Sequence, residues 1–323
     1  MIDRKLIGIV SVLAAVVALT AWQSPHFLND RNIETLLYRT SLYGIISIGA
    51  AFVIVTGGID LSIGSLICLV GLSVPYTAVE LGWPILVSLA FAGVLAIVVG
   101  LFHGLLVTRL DLQPFVVTLC GLLLYRGVAR WITEDRNVGF GSDYPILTGF
   151  AGQRWVVAGD FAIRPQMVVL VLVAVIATLF MTRTIHGRYL LALGRNREAA
   201  RLSGIPTNRM IVVAYVVSAA LAGLGGLLFV LDGNGGKATS LGNFYELYAI
   251  AGAVLGGTSL RGGEVSIPGV VLGAGLMQVL WSAIRQTDIS TELEFAVVGG
   301  VILAWVVAEE WIKRVARARR PAG

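Results

Sequence analysis

From Thr40 to Val79 the chain carries a single charged side chain, Asp60, in the string Gly57-Gly58-Ile59-Asp60-Leu61-Ser62-Ile63-Gly64-Ser65. About twenty predominantly apolar residues lie on each side of it, enough for a helix to cross a hydrocarbon core of roughly 30 Å. Backbone inside a bilayer must satisfy its own hydrogen bonds, so such runs fold as spanning helices. A lone carboxylate among them is costly without a partner, water or a helix terminus. The chain is therefore expected to span a membrane, with a break in regular structure at Gly57-Gly58.

The rest of the sequence extends that expectation. It is 57% hydrophobic and 13% charged, about half the charge share of a soluble domain. The pattern predicts an all-α membrane protein forming one integrated domain over 1–323, with ten spans at 6–22, 41–57, 61–79, 84–108, 114–132, 165–182, 210–231, 245–259, 267–285 and 293–311. The span at 245–259 is short and glycine-rich. Arg4 and Lys5 before the 6–22 stretch also fit a signal peptide, but the stretch is long for a signal-peptide core and Trp22 at its end is placed as an interface anchor, which favours a retained span. Cys68 and Cys120 both sit in apolar runs and suggest neither a disulfide framework nor a metal site. The net charge of +5 does not point to nucleic acid, because its basic residues gather in loops and at the chain end; membrane lipid is the expected surrounding.

Orientation follows the same residues. With the N-terminus inside, the inner side holds Arg4, Lys5, Arg109, Arg183, Arg188, Arg195, Arg197, Arg201, Arg209, Arg261, Lys313, Arg314, Arg317, Arg319 and Arg320, fifteen of the 24 Lys and Arg. Ten spans then leave both termini cytoplasmic, with a basic tail at 312–323. Residues 23–40 read as an interfacial helix, 133–164 as an ordered external (periplasmic) loop, and 183–209 as an inner loop.

Several residues could carry function. At the first break, glycine lets the backbone leave the helix, and Asp60 is expected to cap a helix beginning at Leu61, with Ser62 and Ser65 adding hydroxyls. A plain cap at the membrane face explains this, and direct contact with a hydroxyl-rich solute is the sharper addition. A second break, Gly256-Gly257-Thr258-Ser259-Leu260-Arg261-Gly262-Gly263, echoes the first. Paired glycine-broken spans in two halves are what inverted repeats show, although two unrelated glycine-rich turns give the same strings. Asp232, Asn234, Asn243 and Glu246 surround an outer glycine-rich loop and suit a solute, a delivering protein or solvent equally. Arg126, Arg130 and Glu134 share a helix face at i, i+4 spacing and could pair with each other or with an acidic partner, although snorkelling explains them too. His103 reads as a packed neutral histidine without a carboxylate partner in sequence. Gly100-x-x-x-Gly104, Gly252-x-x-x-Gly256 and Gly269-x-x-x-Gly273 are close-packing motifs.

In the inner loop, Glu198 to Leu202 favours helix, stopped by Gly204 and Pro206. Such a short helix, ringed by arginine, could dock in a partner's groove. The positive-inside rule accounts for the arginines alone, not for Glu-Ala-Ala followed by glycine at that spacing.

Glu198-Ala199-Ala200-x-x-x-Gly204 resembles the coupling-loop signature of ATP-binding-cassette (ABC) importer permeases. Thr56 to Ser65 resembles the hallmark of the ribose/galactose/galactofuranose-type sugar permeases, as do Pro114-Phe115, Thr118-Leu119, Leu124 to Val128, and Leu255-Gly256-Gly257-Thr258 with Gly262-Gly263. The resemblance implies an inner-membrane permease subunit that pairs with a second copy or a sister permease. It further implies a periplasmic sugar-binding protein and a cytoplasmic ABC ATPase that docks on Glu198, Ala199, Ala200 and Gly204; the polar break and the outer loop themselves point to a pathway near Asp60, Ser62, Ser65, Asn243 and Glu246. No cofactor is expected in the chain itself. It has no Gly-x-x-x-x-Gly-Lys-Ser/Thr loop, so ATP would be bound by the partner. The rivals are a permease for branched-chain amino acids or nucleosides and an ion-driven secondary transporter, which would need buried titratable pairs in mid-span. A membrane-embedded enzyme has no clustered His, Cys or acidic set to support it.

Overall fold

A computed structural model describes residues 4–24, 26–286, 290, 293, 295–304 and 307. The expected basic tail at 312–323 and the last part of the 293–311 span lie outside them. Among the described residues the regular structure is helical apart from four short strands. In order, the elements are α1 (Arg4–Gln23), α2 (Asp30–Ile54), α3 (Ile63–Pro75) continued by a π-helical turn at Tyr76–Glu80, α4 (Ile85–Arg109), α5 (Pro114–Thr133), β1 (Asn137–Val138), α6 (Pro145–Gly152), β2 (Trp155–Ala158) and β3 (Phe161–Ile163). They continue with α7 (Pro165–Arg183), α8 (Ile185–Arg195), α9 (Arg197–Leu202), α10 (Thr207–Asp232), β4 (Gly236–Lys237), α11 (Tyr245–Leu255) and α12 (Ile267–Gln286), then α13 (Phe295–Ala304). Eight of these segments are long and apolar enough to cross a membrane, and α11 and α13 are shorter apolar helices. Eight of the ten expected spans meet helices of spanning length; the 245–259 span meets only the shorter α11, and the 293–311 span meets the short α13 within its described residues.

Local chemistry sets the boundaries. Asn29 caps α2 through its side-chain oxygen, which accepts the Asn32 N–H at 2.7 Å. Pro114 and Pro165 open α5 and α7 at the first helical turn, where a missing N–H costs nothing. At the ends of α2 and α11 the same closure recurs. Gly57 N–H bonds Ile54 O and Gly58 N–H bonds Val53 O, while Gly257 N–H bonds Val254 O and Thr258 N–H bonds Ala253 O. Both are Schellman turns, and the pivot glycines take φ of +81° and +85°, a region that disfavours any Cβ.

Helix α10 is the axis, packing against α2, α3 and α4, while α11, α12 and α2 form a second layer. The glycine motifs operate as the sequence implies. A Cβ on Gly100 or Gly104 would run into α10 at Val216 and Val212, and one on Gly273 would meet Gly252 O of α11. Leu86 of α4 is 76% exposed, and Val94, Leu123, Trp131 and Ile176 also face outward, an apolar perimeter suited to lipid rather than water.

One boundary departs from expectation. Residues 30–40 are not an interfacial helix but the first turns of a continuous α2, with Glu34, Tyr38, Thr40 and Ser41 buried. Glu34 lowers the local hydropathy and so hides the span, yet it enters the bundle because two arginines neutralise it. Arg154 Nε donates to Glu34 Oε1 at 2.9 Å, with a second bond from Arg154 Nη2, and Arg164 Nε donates to the same carboxylate at 2.7 Å. These arginines flank the β2–β3 hairpin, so the 133–164 segment is clamped to the start of α2. The 183–209 segment, read from sequence as a loop with one short helix, also holds α8, whose Leu190 and Leu193 face the core.

Candidate functional site

After the break that follows α2 the chain does not stay at the end of the bundle. Beyond Gly58 the chain turns back into the bundle, and the Ile59 carbonyl lies 3.1 Å from Thr118 Oγ1 of α5. Asp60 then reaches α10, where Ser218 Oγ donates to Asp60 Oδ2 at 3.0 Å. Ser218 is near the middle of α10, so the carboxylate, 3% exposed, lies deep between spans. Its other oxygen accepts Ser62 N–H at 3.0 Å and Ser62 Oγ–H at 2.6 Å. Asp60 therefore does not cap a helix starting at Leu61. It closes an Asx-type turn one step earlier; α3 starts at Ile63, with Ser62 in the capping position and no side-chain cap bond. Three donors on one carboxylate supply the partners that a charge at this depth requires.

A second segment enters from the opposite end. Residues 233–244 descend from α10 to α11, and Arg126 of α5 holds them, its Nη1 donating to Ala238 O at 2.8 Å and Leu241 O at 2.5 Å. At the bottom, Gly242 meets Gly64 backbone to backbone, and a Cβ on Gly64 would overlap both Gly242 O and the Glu246 carboxylate. Helices α3 and α11 thus begin together inside the bundle. With 11 residues, α11 spans about 16 Å, half a membrane. This explains why 245–259 reads as a weak span.

The predicted pathway residues fall into two groups. Asp60 and Ser62 share the buried turn, and Ser65, whose hydroxyl donates to Ser62 O at 2.9 Å, serves its own helix turn. Asn243 and Glu246 line an open cleft of about 380 Å³ with Leu122, Arg126, Arg130, Thr239 and Phe244. Glu246 is 8% exposed and bridges the groups, because it borders the cleft and also packs at Gly64. Of the readings open for Arg126, Arg130 and Glu134, pairing with one another is not what the structure shows. Arg126 binds backbone; Arg130 pairs with Asp135 through bonds of 2.8 and 2.6 Å and holds that carboxyl below its ordinary range. Glu134 lies nearest Arg136, at 3.6 Å. In the outer loop, Asn234 Nδ2 donates to Gly141 O.

Sequence reading missed the groups around Asp60. Ser218 carries no motif of its own, and Thr118 stood only within a family string, with nothing to join it to the Ile59–Asp60 turn. His103, 2% exposed, is indeed packed, but it has a partner: its Nε2 lies 2.7 Å from Tyr125 Oη. The Tyr215 ring meets it edge-on, 6.1 Å between centroids. A paired buried histidine and tyrosine are visible only once α4, α5 and α10 are assembled.

The α9 end gathers Arg195, Arg197, Arg201 and Arg209, four of the basic residues that the sequence assigned to one side. Arg195 packs on Gly263, Arg197 Nη2 donates to Asn208 Oδ1, and Arg201 and Arg209 line one wide polar hollow with Asp111 and Glu198. Helix α9 forms as its residues imply. Asn196 Oδ1 accepts Ala199 N–H at 2.9 Å, and Gly204, with φ of +81°, ends it. Glu198, Ala199 and Leu202 face outward, while Ala200 is buried. The two glycine breaks meet near this end, with Gly263 N–H donating to Val55 O at 2.9 Å.

Residues 32–306 match the family described as branched-chain amino acid transport system / permease component. Among curated relatives, the ribose import permease protein RbsC of Escherichia coli (strain K12) is 34% identical, covering 92% of this chain and 91% of its own. The xylose transport system permease protein XylH of the same strain is 31% identical over 97% and 93% of the two chains. The D-allose transport system permease protein AlsC, also from that strain, is 31% identical over 95% and 92%. No solved structure matches the chain.

Proposed function

The chain belongs to the branched-chain amino acid transport system / permease component family, as a multi-pass protein of the bacterial plasma membrane, and on that premise we propose that it is the permease subunit of an ABC importer for a monosaccharide. One observation carries the substrate class: relatives aligned with more than nine-tenths of this chain are named for ribose, xylose and D-allose. The site chemistry agrees. Asp60, Glu246 and Asn243 offer oxygen acceptors suited to sugar hydroxyls, and Arg126 spends a guanidinium nitrogen on backbone carbonyls rather than on a solute anion. A branched-chain amino acid would bring a carboxylate to a place already occupied by two.

The chain supplies the path and separate subunits supply the work. An ATPase docks on Glu198, Ala199, Ala200 and Gly204 from the cytoplasmic side, placing the α9 end inside. A binding protein delivers sugar at the hairpin end, and a second permease copy or a sister chain completes the path. The bundle alternates between two states that the ATPase biases; Asp60 and Glu246 lie where the starts of α3 and α11 meet. No ATP site is needed in this chain.

Asp60 and His103 do lie in mid-bundle, as an ion-driven carrier would require, so the test must separate the two drives. The protein is reconstituted with its ATPase and given the binding protein loaded with ribose, xylose or allose. Accumulation that requires ATP is expected for at least one sugar. Accumulation without nucleotide, accompanied by sugar-coupled alkalinisation, would replace the importer reading with a proton-driven one.

A further inference from the structure

Helix α8 ends one residue before the cap of α9, and its penultimate residue is Gly194. A Cβ there would overlap Val55 O and Gly263 N, the two ends of the 2.9 Å bond that ties the break after α2 to the break after α11. The packing is reciprocal. A Cβ on Gly262 would lie 2.9 Å from Gly194 O, 2.9 Å from Gly57 N and 3.0 Å from Val55 O, and one on Gly263 would lie 2.8 Å from Arg195 N. Three separate backbone segments therefore touch directly at Gly194 and Gly262, with the Arg195 side chain lying against Gly263 beside them.

We infer that Gly194 is a positioning residue in transport: it is the joint through which a displacement of α9 reaches the Asp60 turn. This rests on the importer reading, with α9 as the docking helix. On one side, Asn196 follows Gly194 by two residues and its side chain caps α9. On the other, Asp60 follows Val55 by five residues along a turn with no regular helix. A side chain in a contact can change rotamer and absorb a shift, whereas backbone packed on backbone moves as one or loses its hydrogen bond. The buried Leu190 and Leu193 keep α8 seated on the core, so a pull on α9 is delivered to the joint rather than peeling α8 away. The joint also touches the Gly262–Gly263 turn leading to α12, so both breaks respond to one movement.

The test is the coupling ratio, sugar accumulated per ATP hydrolysed, in the reconstituted complex. Gly194→Ala inserts a methyl group into the joint. Gly127→Ala, a helix glycine with open space around it, is the control. The G194A chain is expected to retain its ATPase on purification and to hydrolyse ATP, with the coupling ratio at least tenfold lower, while G127A stays near the parent ratio. An unchanged ratio in G194A would overturn the joint. Should G194A fail to assemble, hydrogen exchange on the unaltered complex reads the same contact. ATP binding should then change exchange in residues 55–60 and 259–265 together with 195–204, and no change in the first two segments would also overturn it. If the parent complex neither holds an ATPase nor accumulates sugar, it is the importer reading that fails.

Discussion

Asp60 is stable at depth because three donors surround it, and that predicts how its replacements differ. Asp60→Ala leaves Ser62 N–H and two hydroxyls without an acceptor and should cost about 1–3 kcal/mol. Asp60→Asn should cost less, because its carbonyl still accepts from Ser62 and its amide can donate to a reoriented Ser218 hydroxyl. Thermal unfolding in detergent ranks the two, and equal losses would mean the charge rather than the hydrogen bonds holds the turn. Glu34 is a different case, a buried carboxylate under two guanidinium groups, one also stacked over the Tyr38 ring at 4.4 Å. Glu34→Ala should destabilise by about 1–3 kcal/mol, below the figure for a fully buried pair because the Arg154 side chain is 40% exposed and solvent screens it. Limited proteolysis should then cut within 153–164 faster than in the parent protein, and an unchanged rate would show that the clamp does not retain the hairpin.

Helices α3 and α11 start side by side inside the bundle only because two glycines let their leading segments touch. Gly64→Ala would press a methyl group on Gly242 O and Glu246, which backbone cannot avoid. The expected outcome is strong destabilisation, of about 2 kcal/mol or more, with a lower yield of folded protein by size-exclusion chromatography. A parent-like profile would mean the segments are looser than their packing implies. Helix α9 belongs to the opposite class: short, capped by one Asn and closed by one Gly, with most of its surface outward. Deleting Glu198 to Gly204 should leave membrane insertion intact and abolish co-purification with the ATPase, and retained co-purification would refute the docking role.

At the scale of the molecule, the bundle is a glycine-packed scaffold around α10 with two segments entering from opposite ends. Helix contacts made through glycine allow close approach and small sliding shifts, a suitable basis for alternation between two states. Reconstituted alone in liposomes, the chain should show no uphill accumulation of ribose, xylose or allose, because its proposed drive resides in another subunit. Concentrative uptake by the isolated chain, measured with labelled sugar, would contradict that.

What the amino-acid sequence determined by itself was the spans and turns whose signal lies within a few residues, although not the Asp60–Ser62 turn that stands in place of the expected cap. Apolar runs specified the spans, glycine pairs specified the Schellman turns at Gly57 and Gly257, and Asn196 with Gly204 specified α9. These depend on hydrogen bonds reaching three to five residues, so their signal is local. Only the tertiary structure decided that Asp60 lies in mid-bundle rather than at a face, because its anchoring hydroxyl is 158 residues away. Only it joined Glu34 to Arg154 and Arg164, 120 and 130 residues on, turning a polar stretch that reads as interfacial into a spanning helix. A buried charge is tolerated where distant parts of the chain supply its counter-groups, and no window of hydropathy contains both.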